Sequence, residues 1–293
     1  MRVIDCHVHL YPDELNRDPI GWAVLHREAE WAGLCTRRRR DGMMVQDFPG
    51  VDELLREMDA AGVDRAVLLG WYWRRPESCA AQNRFYAECV RAHPARLSAF
   101  ATIQPGGASP AAVAEAMRRA RDEGLVGLGE LSPHAQGYAV DNPGLRAALA
   151  LAADWRWPVN LHVTDPNSRL YPGRVETPLE DFERLAREWP RVNFVLAHWG
   201  GLLPLRNVAA QALPNVFYDT AASPLVYDSS VWKRFLATVP EEKILFGSDF
   251  PLNLYPKVDA TATMSRFIAE AAAGGASARV MRDNAAELLG RRE

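Results

Sequence analysis

The 293-residue sequence has few of the features that mark disulfide-bonded, nucleic-acid-binding or membrane-spanning proteins. Its four cysteines form no C-x-x-C pair, which indicates a reducing compartment rather than a disulfide framework. The net charge of −3 is mild, so composition favours neither nucleic acid nor a membrane surface as a partner. The apolar stretch near residues 145–153 is too short to cross a bilayer, and Asp5 interrupts any signal-like start. We therefore expect a cytoplasmic protein.

The arginine run at 37–40 is a short concentration of positive charge. It is isolated and Asp41 follows it, so we interpret it as a solvated loop rather than a phosphate-binding patch. The remaining composition, with 48% hydrophobic and 24% charged residues, is typical of a globular protein with a substantial core.

Short apolar segments alternate with alanine-rich segments of helical spacing along the whole chain. The predicted strands lie at 2–6, 65–69, 97–103, 126–130, 159–162, 193–197, 216–219 and 244–247. The predicted helices lie near 51–61, 78–92, 109–123, 143–155, 178–188, 203–212, 229–237, 258–272 and 278–289. Eight such units predict an α/β fold, a (β/α)₈ TIM barrel, as one domain over 1–293. A doubly wound sheet would carry a Gly-rich loop after its first strand, and this sequence has none there.

The segment 11–50 is too long for an ordinary loop between a strand and a helix. It contains Trp22, His26 and Trp31 as well as the arginine run. Two placements are open: a wall or lid over the barrel mouth, or a contact between two copies of the chain.

Polar residues interrupt the apolar segments where predicted strands end. His7 and His9 lie one residue apart in "IDCHVHL", so their side chains point to the same face of the first strand. The other residues at such positions are Glu130, His162, His198 and Asp249. Because barrel active sites form at the C-terminal ends of the strands, we expect these six side chains to converge.

Imidazole and carboxylate groups are the ligands that zinc and similar ions prefer. Taken singly, each residue has a structural explanation: His162 as a core histidine, Asp249 as a turn cap, Glu130 as an arginine partner. Taken together, they predict a divalent metal centre that activates water. His26 and His93 lack such positions, whereas His134 lies near enough to the mouth to touch a ligand.

The ordered motifs resemble those of the amidohydrolase superfamily, in the branch of amidohydrolase-related metal-dependent hydrolases and decarboxylases. They are "DCHVHLYP" at 5–12, "LHV" at 161–163, "LAHWGG" at 196–201, "GSDFP" at 247–251 and "DNAAELLG" at 283–290. The resemblance covers nearly the whole chain, and it implies a barrel fold and a metal-dependent reaction.

The resemblance also implies roles for individual residues. His7, His9, His162 and Asp249 match metal ligands, and His198 matches a histidine that transfers protons or binds a second ion. The family often has a bridging lysine on strand four, where this sequence offers Glu130. That departure favours one zinc or manganese ion per chain, with Glu130 as an additional ligand. Branch members often pair, so a homodimer is expected as well.

Two reactions fit this set of residues. We favour hydrolysis of an ester, lactone or amide, in which Asp249 accepts the proton of water and His198 stabilises the oxyanion. The alternative is non-oxidative decarboxylation of an aromatic or unsaturated acid. A non-enzymatic metal-binding scaffold fits least, because structural zinc sites are commonly closed and cysteine-rich.

Aromatic and basic residues near strand ends predict a pocket for a small organic acid with a ring. In "GWYWRRPES", Trp71 and Trp73 offer apolar area, and Arg74 and Arg75 can grip a carboxylate. Trp199 and His134 are further candidates for contact with the substrate. The alternative is a tryptophan-rich packing corner with exposed arginines, and the sequence leaves both explanations open.

Overall fold

The computed structural model describes residues 2–39, 41–253 and 262–290. Eight parallel strands form two sheets, with strand orders β1-β2-β3 and β4-β5-β6-β7-β8. The strands are β1 (Val3–Val8), β2 (Val63–Leu68), β3 (Leu97–Ala99), β4 (Leu128–Leu131), β5 (Val159–Leu161), β6 (Phe194–Leu196), β7 (Val216–Asp219) and β8 (Ile244–Leu245). Most of them are buried along their length, as expected for strands covered on both faces.

Backbone contacts close the two sheets into one barrel. On one side, the amide of Val126 donates to the Ala99 carbonyl, and Ala101 bridges to Leu128. On the other side, the amide of Cys6 donates to the Phe246 carbonyl at 2.9 Å. The structure therefore confirms the predicted α/β barrel of parallel strands alternating with helices.

Fifteen α-helices surround or extend the barrel in the described residues. They are α1 (Asp13–Arg17), α2 (Pro19–His26), α3 (Ala29–Cys35), α4 (Val51–Ala61), α5 (Pro76–Ala92), α6 (Pro110–Asp122), α7 (Pro133–Gln136), α8 (Pro143–Trp155), α9 (Leu179–Glu188), α10 (Leu203–Arg206), α11 (Val208–Gln211), α12 (Ser223–Val226), α13 (Ser230–Leu236), α14 (Met264–Ala273) and α15 (Asn284–Leu288). None of these described helices has the length and apolar character that a membrane span requires.

Local sequence explains where the long helices begin. Proline occupies the first position of α6 and α8, where a missing N–H costs no hydrogen bond. The side chains of Ser109 and Asn142 accept hydrogen bonds from the first free amides of these two helices.

Three predicted helices differ from the observed ones. The segment 203–212 divides into α10 and α11, because Asn207 has an extended backbone and caps the amide of Ala209. The segment 278–289 begins with a π-helical turn at Arg279–Asp283 before α15. For the prediction at 258–272, residues 258–261 lie outside the described residues, and α14 begins at Met264 after the Thr263 cap.

The long insertion at 11–50 packs its helices α1 to α3 against the loop that follows β2. Its aromatic side chains form a second apolar cluster with that loop, and the buried members are Tyr11, Leu15, Trp22, Ala23, Trp31, Cys35, Trp71, Tyr72, Trp73 and Cys79. A buried carboxylate ties the two segments together: Glu28 accepts the backbone amides of Arg74 and Arg75, each at 3.0 Å. The insertion is thereby fixed to the barrel by both apolar packing and hydrogen bonds.

Candidate metal centre

The carboxyl ends of the strands bring the six predicted residues together. His7 lies near the end of β1 and His9 follows it, and both are almost completely buried. Their ligand atoms lie close to that of Asp249, which follows β8, and a second group contains Glu130, His162 and His198. The two groups face each other, because Glu130 Oε2 is 3.7 Å from His9 Nε2.

The hydrogen bonds of the two first-strand histidines leave their Nε2 atoms pointing at each other. His9 Nδ1 lies 2.9 Å from the Leu69 carbonyl, and a carbonyl only accepts, so Nδ1 carries the proton. His7 Nδ1 likewise donates to the carboxylate of Asp219 at 2.9 Å. The two Nε2 atoms are 3.1 Å apart, so a proton or a metal cation must lie between them.

Asp249 completes a donor set that fits a divalent ion. Its Oδ1 lies 3.6 Å from the Nε2 atom of both His7 and His9. Three nitrogen and oxygen donors at such spacing can all reach one ion at metal–ligand distances of about 2.0–2.2 Å. The residues present therefore fit a zinc-like ion.

The second group is held by Glu130 at the end of β4. Glu130 Oε1 is 3.0 Å from His162 Nδ1 and 3.8 Å from His198 Nε2. Since Oε2 of the same carboxylate faces His9, Glu130 connects the two groups of donors.

Asp219, which ends β7, is a site residue that the sequence analysis missed. Besides His7, its carboxylate accepts hydrogen bonds from the Asn160 side chain and from the backbone amides of His198 and Ala221. It thus orients the ring of His7 directly and fixes the backbone of His198. Its position at a strand end was the available signal, because the same signal identified Glu130.

Burial and neighbouring charges shift the pKa values of this cluster in opposite directions. Burial lowers the pKa of His7, but the carboxylates of Asp219, Asp249 and Glu130 together outweigh it and raise the value to about 10. Burial and the charge of His7 lower the pKa of His9 to about 3. Burial also lowers the pKa of His198, to about 4, and raises the pKa of Asp249 well above its usual value. Burial opposes the ionised form of Glu130 as well, yet the facing histidines lower its pKa.

The backbone turns sharply at two of these residues. His198 has φ of +56° and Asp249 has φ of +69°, a left-handed conformation that non-glycine residues seldom adopt. Such conformations concentrate at functional sites, where the surrounding structure holds them. Both side chains line the cavity above the cluster.

A cavity of about 1020 Å³ opens above the six residues. Trp71 and Tyr72 form one wall, with their rings stacked at 4.4 Å, and Trp71 lies 5.4 Å from the ring of His9. Residues of the insertion, including Cys35, Arg37 and Val45, form another part of the wall. These contacts correspond to the first of the two placements predicted for the insertion.

The structure does not bring all predicted substrate-binding residues to this cavity. Trp73 is buried and donates its ring N–H to Gln82. Trp199 is fully buried against Trp232 and donates to Ser223. Their surroundings match the packing-corner alternative, and their contact with a substrate stays a prediction.

The basic residues predicted to bind the substrate, Arg74, Arg75 and His134, also lie outside the lining of this cavity. Arg74 donates to the Ala135 carbonyl at 2.6 Å and pairs with Glu30 at 3.4 Å. Together with Arg75, it lines a separate pocket of about 460 Å³. His134 pairs with Asp181 at 2.9 Å outside the lining of the main cavity.

Comparisons with known proteins agree with this fold. The family model described as "Amidohydrolase" matches residues 4–291. A 2,6-dihydroxybenzoate decarboxylase from Rhizobium is 20% identical, with a TM-score of 0.68 over 99% of each chain. A 5-carboxyvanillate decarboxylase from Novosphingobium aromaticivorans, complexed with manganese and 4-hydroxy-3-methoxy-5-nitrobenzoic acid, is 15% identical, with a TM-score of 0.71 over 98% of this chain and 96% of that one.

A third structure, a probable 2-pyrone-4,6-dicarboxylic acid hydrolase from Acinetobacter baumannii, is 16% identical, with a TM-score of 0.63 over 99% of this chain and 100% of that one. No curated protein sequence matches this chain. At such identities the structural similarity shows the fold, whereas the family model covers nearly every residue. The chain is therefore a member of the amidohydrolase family, and its His/Asp cluster is a divalent metal-binding site of that family's barrel.

Proposed function

We propose that this protein is a metal-dependent decarboxylase that removes carbon dioxide from a small aromatic or unsaturated acid. The observation that carries the proposal is the pair of facing Nε2 atoms of His7 and His9 beside Asp249. These three residues lie at the floor of the cavity, next to the aromatic wall of Trp71 and Tyr72. Hydrolysis is the reaction that the sequence favours, but two of the three similar structures named above are decarboxylases. They support the alternative reaction better than the favoured one.

His7, His9 and Asp249 would hold the ion, with Glu130 and His162 as the nearest additional donors. The bound ion would supply Lewis-acid polarisation of the substrate's oxygen atoms. We propose one ion per chain, with zinc favoured by the ligand set and manganese supported by the ion named in the similar decarboxylase.

Decarboxylation replaces a C–C bond with a C–H bond at the same carbon. The electron pair of the broken bond stays on the substrate carbon, carbon dioxide leaves, and a proton must reach that carbon. Asp249 and His198 both line the cavity, and Asp249 Oδ2 lies 3.8 Å from His198 Nδ1, which donates to the Ala221 carbonyl at 3.2 Å. We assign the role of proton donor to Asp249, with the His198 ring as its neighbour in the site.

The walls bind the ring of the acid. The stacked Trp71 and Tyr72 present apolar area beside the floor, and Tyr72 lies 5.1 Å from the ring of His162. A planar acid can stack on this wall while its carboxylate reaches the floor.

Hydrolysis of a lactone or ester remains the second candidate, supported by the hydrolase among the similar structures. In that reaction Asp249 would take a proton from the attacking water and return it to the leaving group. His198 would lie beside the developing oxyanion.

Incubation with a panel of hydroxybenzoates and lactones, with the protein loaded with zinc or manganese, tests these proposals. Metal-dependent release of carbon dioxide is expected, and it should disappear after chelation and return on reloading. Lactone opening without carbon dioxide would favour the second candidate. Tight metal binding without turnover of either class would favour a scaffold.

Two further sequence predictions remain proposals. Pairing into a homodimer can be checked by light scattering of the purified protein, which should give twice the 32.6 kDa chain mass. A cytoplasmic location can be checked by fractionation of cells that express the full chain.

A further inference from the structure

Arginines from two separate segments line the mouth of the cavity. Arg37, Arg38 and Arg39 belong to the insertion, and Arg169 belongs to the loop after β5. Two carboxylates at the mouth are already paired: Asp41 with Arg39, and Asp165 with Arg206 at 2.9 Å.

Arg37 is held by a backbone carbonyl and an aromatic ring rather than by a carboxylate. Its Nε donates to the Leu34 carbonyl at 3.0 Å, and its guanidinium lies 5.4 Å from the centre of the Tyr171 ring. No carboxylate in the described ranges pairs with Arg37, and its side chain is only partly exposed. A guanidinium that is held through its Nε and lies over a ring keeps its terminal amino groups available for a planar anion.

A line of contacts connects Arg37 with the candidate metal centre. Tyr171 lies beside Thr164, and Thr164 Oγ1 is 3.4 Å from His162 Nε2. All four residues line the same cavity. A ring that has one carboxylate at the floor and its face on Trp71 and Tyr72 thus shares the cavity with an unneutralised guanidinium at the mouth.

We propose that Arg37, lying on Tyr171, forms an anion subsite, and that the substrate is a diacid whose second carboxylate binds there and stays on the product. This inference rests on the proposed function, because it places the reacting carboxylate at the metal centre. It also changes the interpretation of the arginine run, whose member Arg37 contacts the cavity, while Arg40 lies outside the described residues.

Binding of two unreactive probes separates the subsite from the reaction. Isothermal titration of the metal-loaded protein with benzoate and with benzene-1,3-dicarboxylate gives a Kd for each. The wild type is expected to prefer the diacid by about tenfold, since a charge-assisted bidentate contact exists for only one of the probes. Arg37→Gln should abolish that preference and change the Kd of benzoate by less than about twofold.

Two further variants make the result specific. Arg91→Gln removes the same charge from the exposed last turn of α5 and should keep the full preference. Arg37→Lys keeps the charge but loses the planar fork, so it should keep an intermediate preference.

A purely structural role for Arg37, as a strut between the insertion and the β5 loop, predicts a different result. Arg37→Gln would then weaken both probes equally, and that outcome overturns the subsite, as does equal affinity of the wild type for both probes. Release of carbon dioxide from monoacids without diacid preference overturns the subsite and leaves the proposed reaction standing. Diacid preference that depends on Arg37, without any turnover, supports the subsite and contradicts the proposed reaction.

Discussion

The floor and the mouth of the cavity are built by different parts of the chain. On the floor, His7, His9 and Asp249 lie at or just after strand ends, and their side chains are nearly inaccessible to solvent. At the mouth, Arg37 and Tyr171 lie in segments between strands and remain partly exposed. The floor therefore has a geometry set by the barrel backbone, whereas the mouth has one set by contacts between loops.

Close backbone approach brings the floor residues of β1 and of the segment after β8 together. A Cβ atom added at Gly247 would lie 2.8 Å from the Cβ of His7, so glycine lets the segment after β8 approach β1. This approach is also what allows the amide of Asp249 to donate to the His7 carbonyl at 2.9 Å. The comparison predicts that substitutions on the floor change the chemistry, and that substitutions at the mouth change recognition.

The largest effect is expected for Asp249→Asn on the floor. Loss of the carboxylate removes one donor from the metal set and the proposed proton donor, so kcat should fall by at least about a thousandfold. Asp165→Asn is the matched control, because it removes a carboxylate at the mouth that already pairs with Arg206. Comparable losses in both variants would contradict the division between floor and mouth.

Asp219→Asn tests how much the hydrogen bond from His7 to Asp219 contributes to metal affinity. The variant weakens the orientation of His7, and metal affinity should fall by about ten- to a hundredfold in a chelator competition assay. Asp181→Asn is the control, because that carboxylate contacts His134 at the same distance of 2.9 Å but outside the cavity. Unchanged metal affinity in Asp219→Asn would show that His7 needs no such partner.

Metal affinity should depend on pH through the floor histidines. The pKa of His7 is about 10 in the metal-free protein, so binding at pH 7–9 must displace one proton. Affinity should therefore rise by up to about tenfold per pH unit in this range and weaken as the pH falls. His9, with a pKa of about 3, is already neutral and adds nothing. Calorimetry in buffers of different ionisation enthalpy measures the released proton, and a release of zero contradicts the assignment.

A smaller effect is expected for Trp71→Leu in the wall between floor and mouth. Loss of the stacking surface should raise KM for an aromatic acid by about three- to tenfold with little change in kcat. Trp155→Leu provides the control, because Trp155, the last residue of α8, packs on Trp157 outside the lining of the cavity. A fall in kcat with an unchanged KM would instead assign Trp71 to the floor.

The smallest effect is expected for Arg74→Gln. Arg74 pairs with Glu30 and donates to the Ala135 carbonyl, so KM should change by less than about twofold. A tenfold rise in KM would instead support the predicted role of Arg74 in binding the substrate carboxylate. It would also mean that the substrate reaches the separate pocket lined by Arg74 and Arg75.

The sequence predicted the floor well because strand position fixes side-chain direction. The alternation of His7 and His9, and the strand-end positions of Glu130 and His198, required no knowledge of distant contacts. The bounds of α4 and α8 were equally local, since Gly62 ends α4 in a left-handed conformation and Asn142 caps α8. Asp219 was missed although it obeys the same rule at the end of β7.

The mouth could not be predicted in the same way, because its side chains follow long-range contacts. Arg74 and Arg75 are positioned by Glu28, which lies 46 and 47 residues away in the sequence. The contact between the Arg37 guanidinium and the Tyr171 ring joins the insertion to the β5 loop, and no periodicity of either segment specifies that contact. Local patterns therefore predict the elements but leave the partners of loop residues open.

The carboxylate of Glu28 limits how this barrel can be redesigned. A chimera that exchanges only residues 11–50 for the corresponding segment of a relative leaves the amides of Arg74 and Arg75 without their acceptor, unless the donor segment supplies one. The amides of Arg74 and Arg75 are only partly buried, so the larger cost is the loss of the contact by which buried Glu28 holds the two segments together. A chimera designed for new selectivity should therefore exchange residues 11–50 and residues 71–75 together.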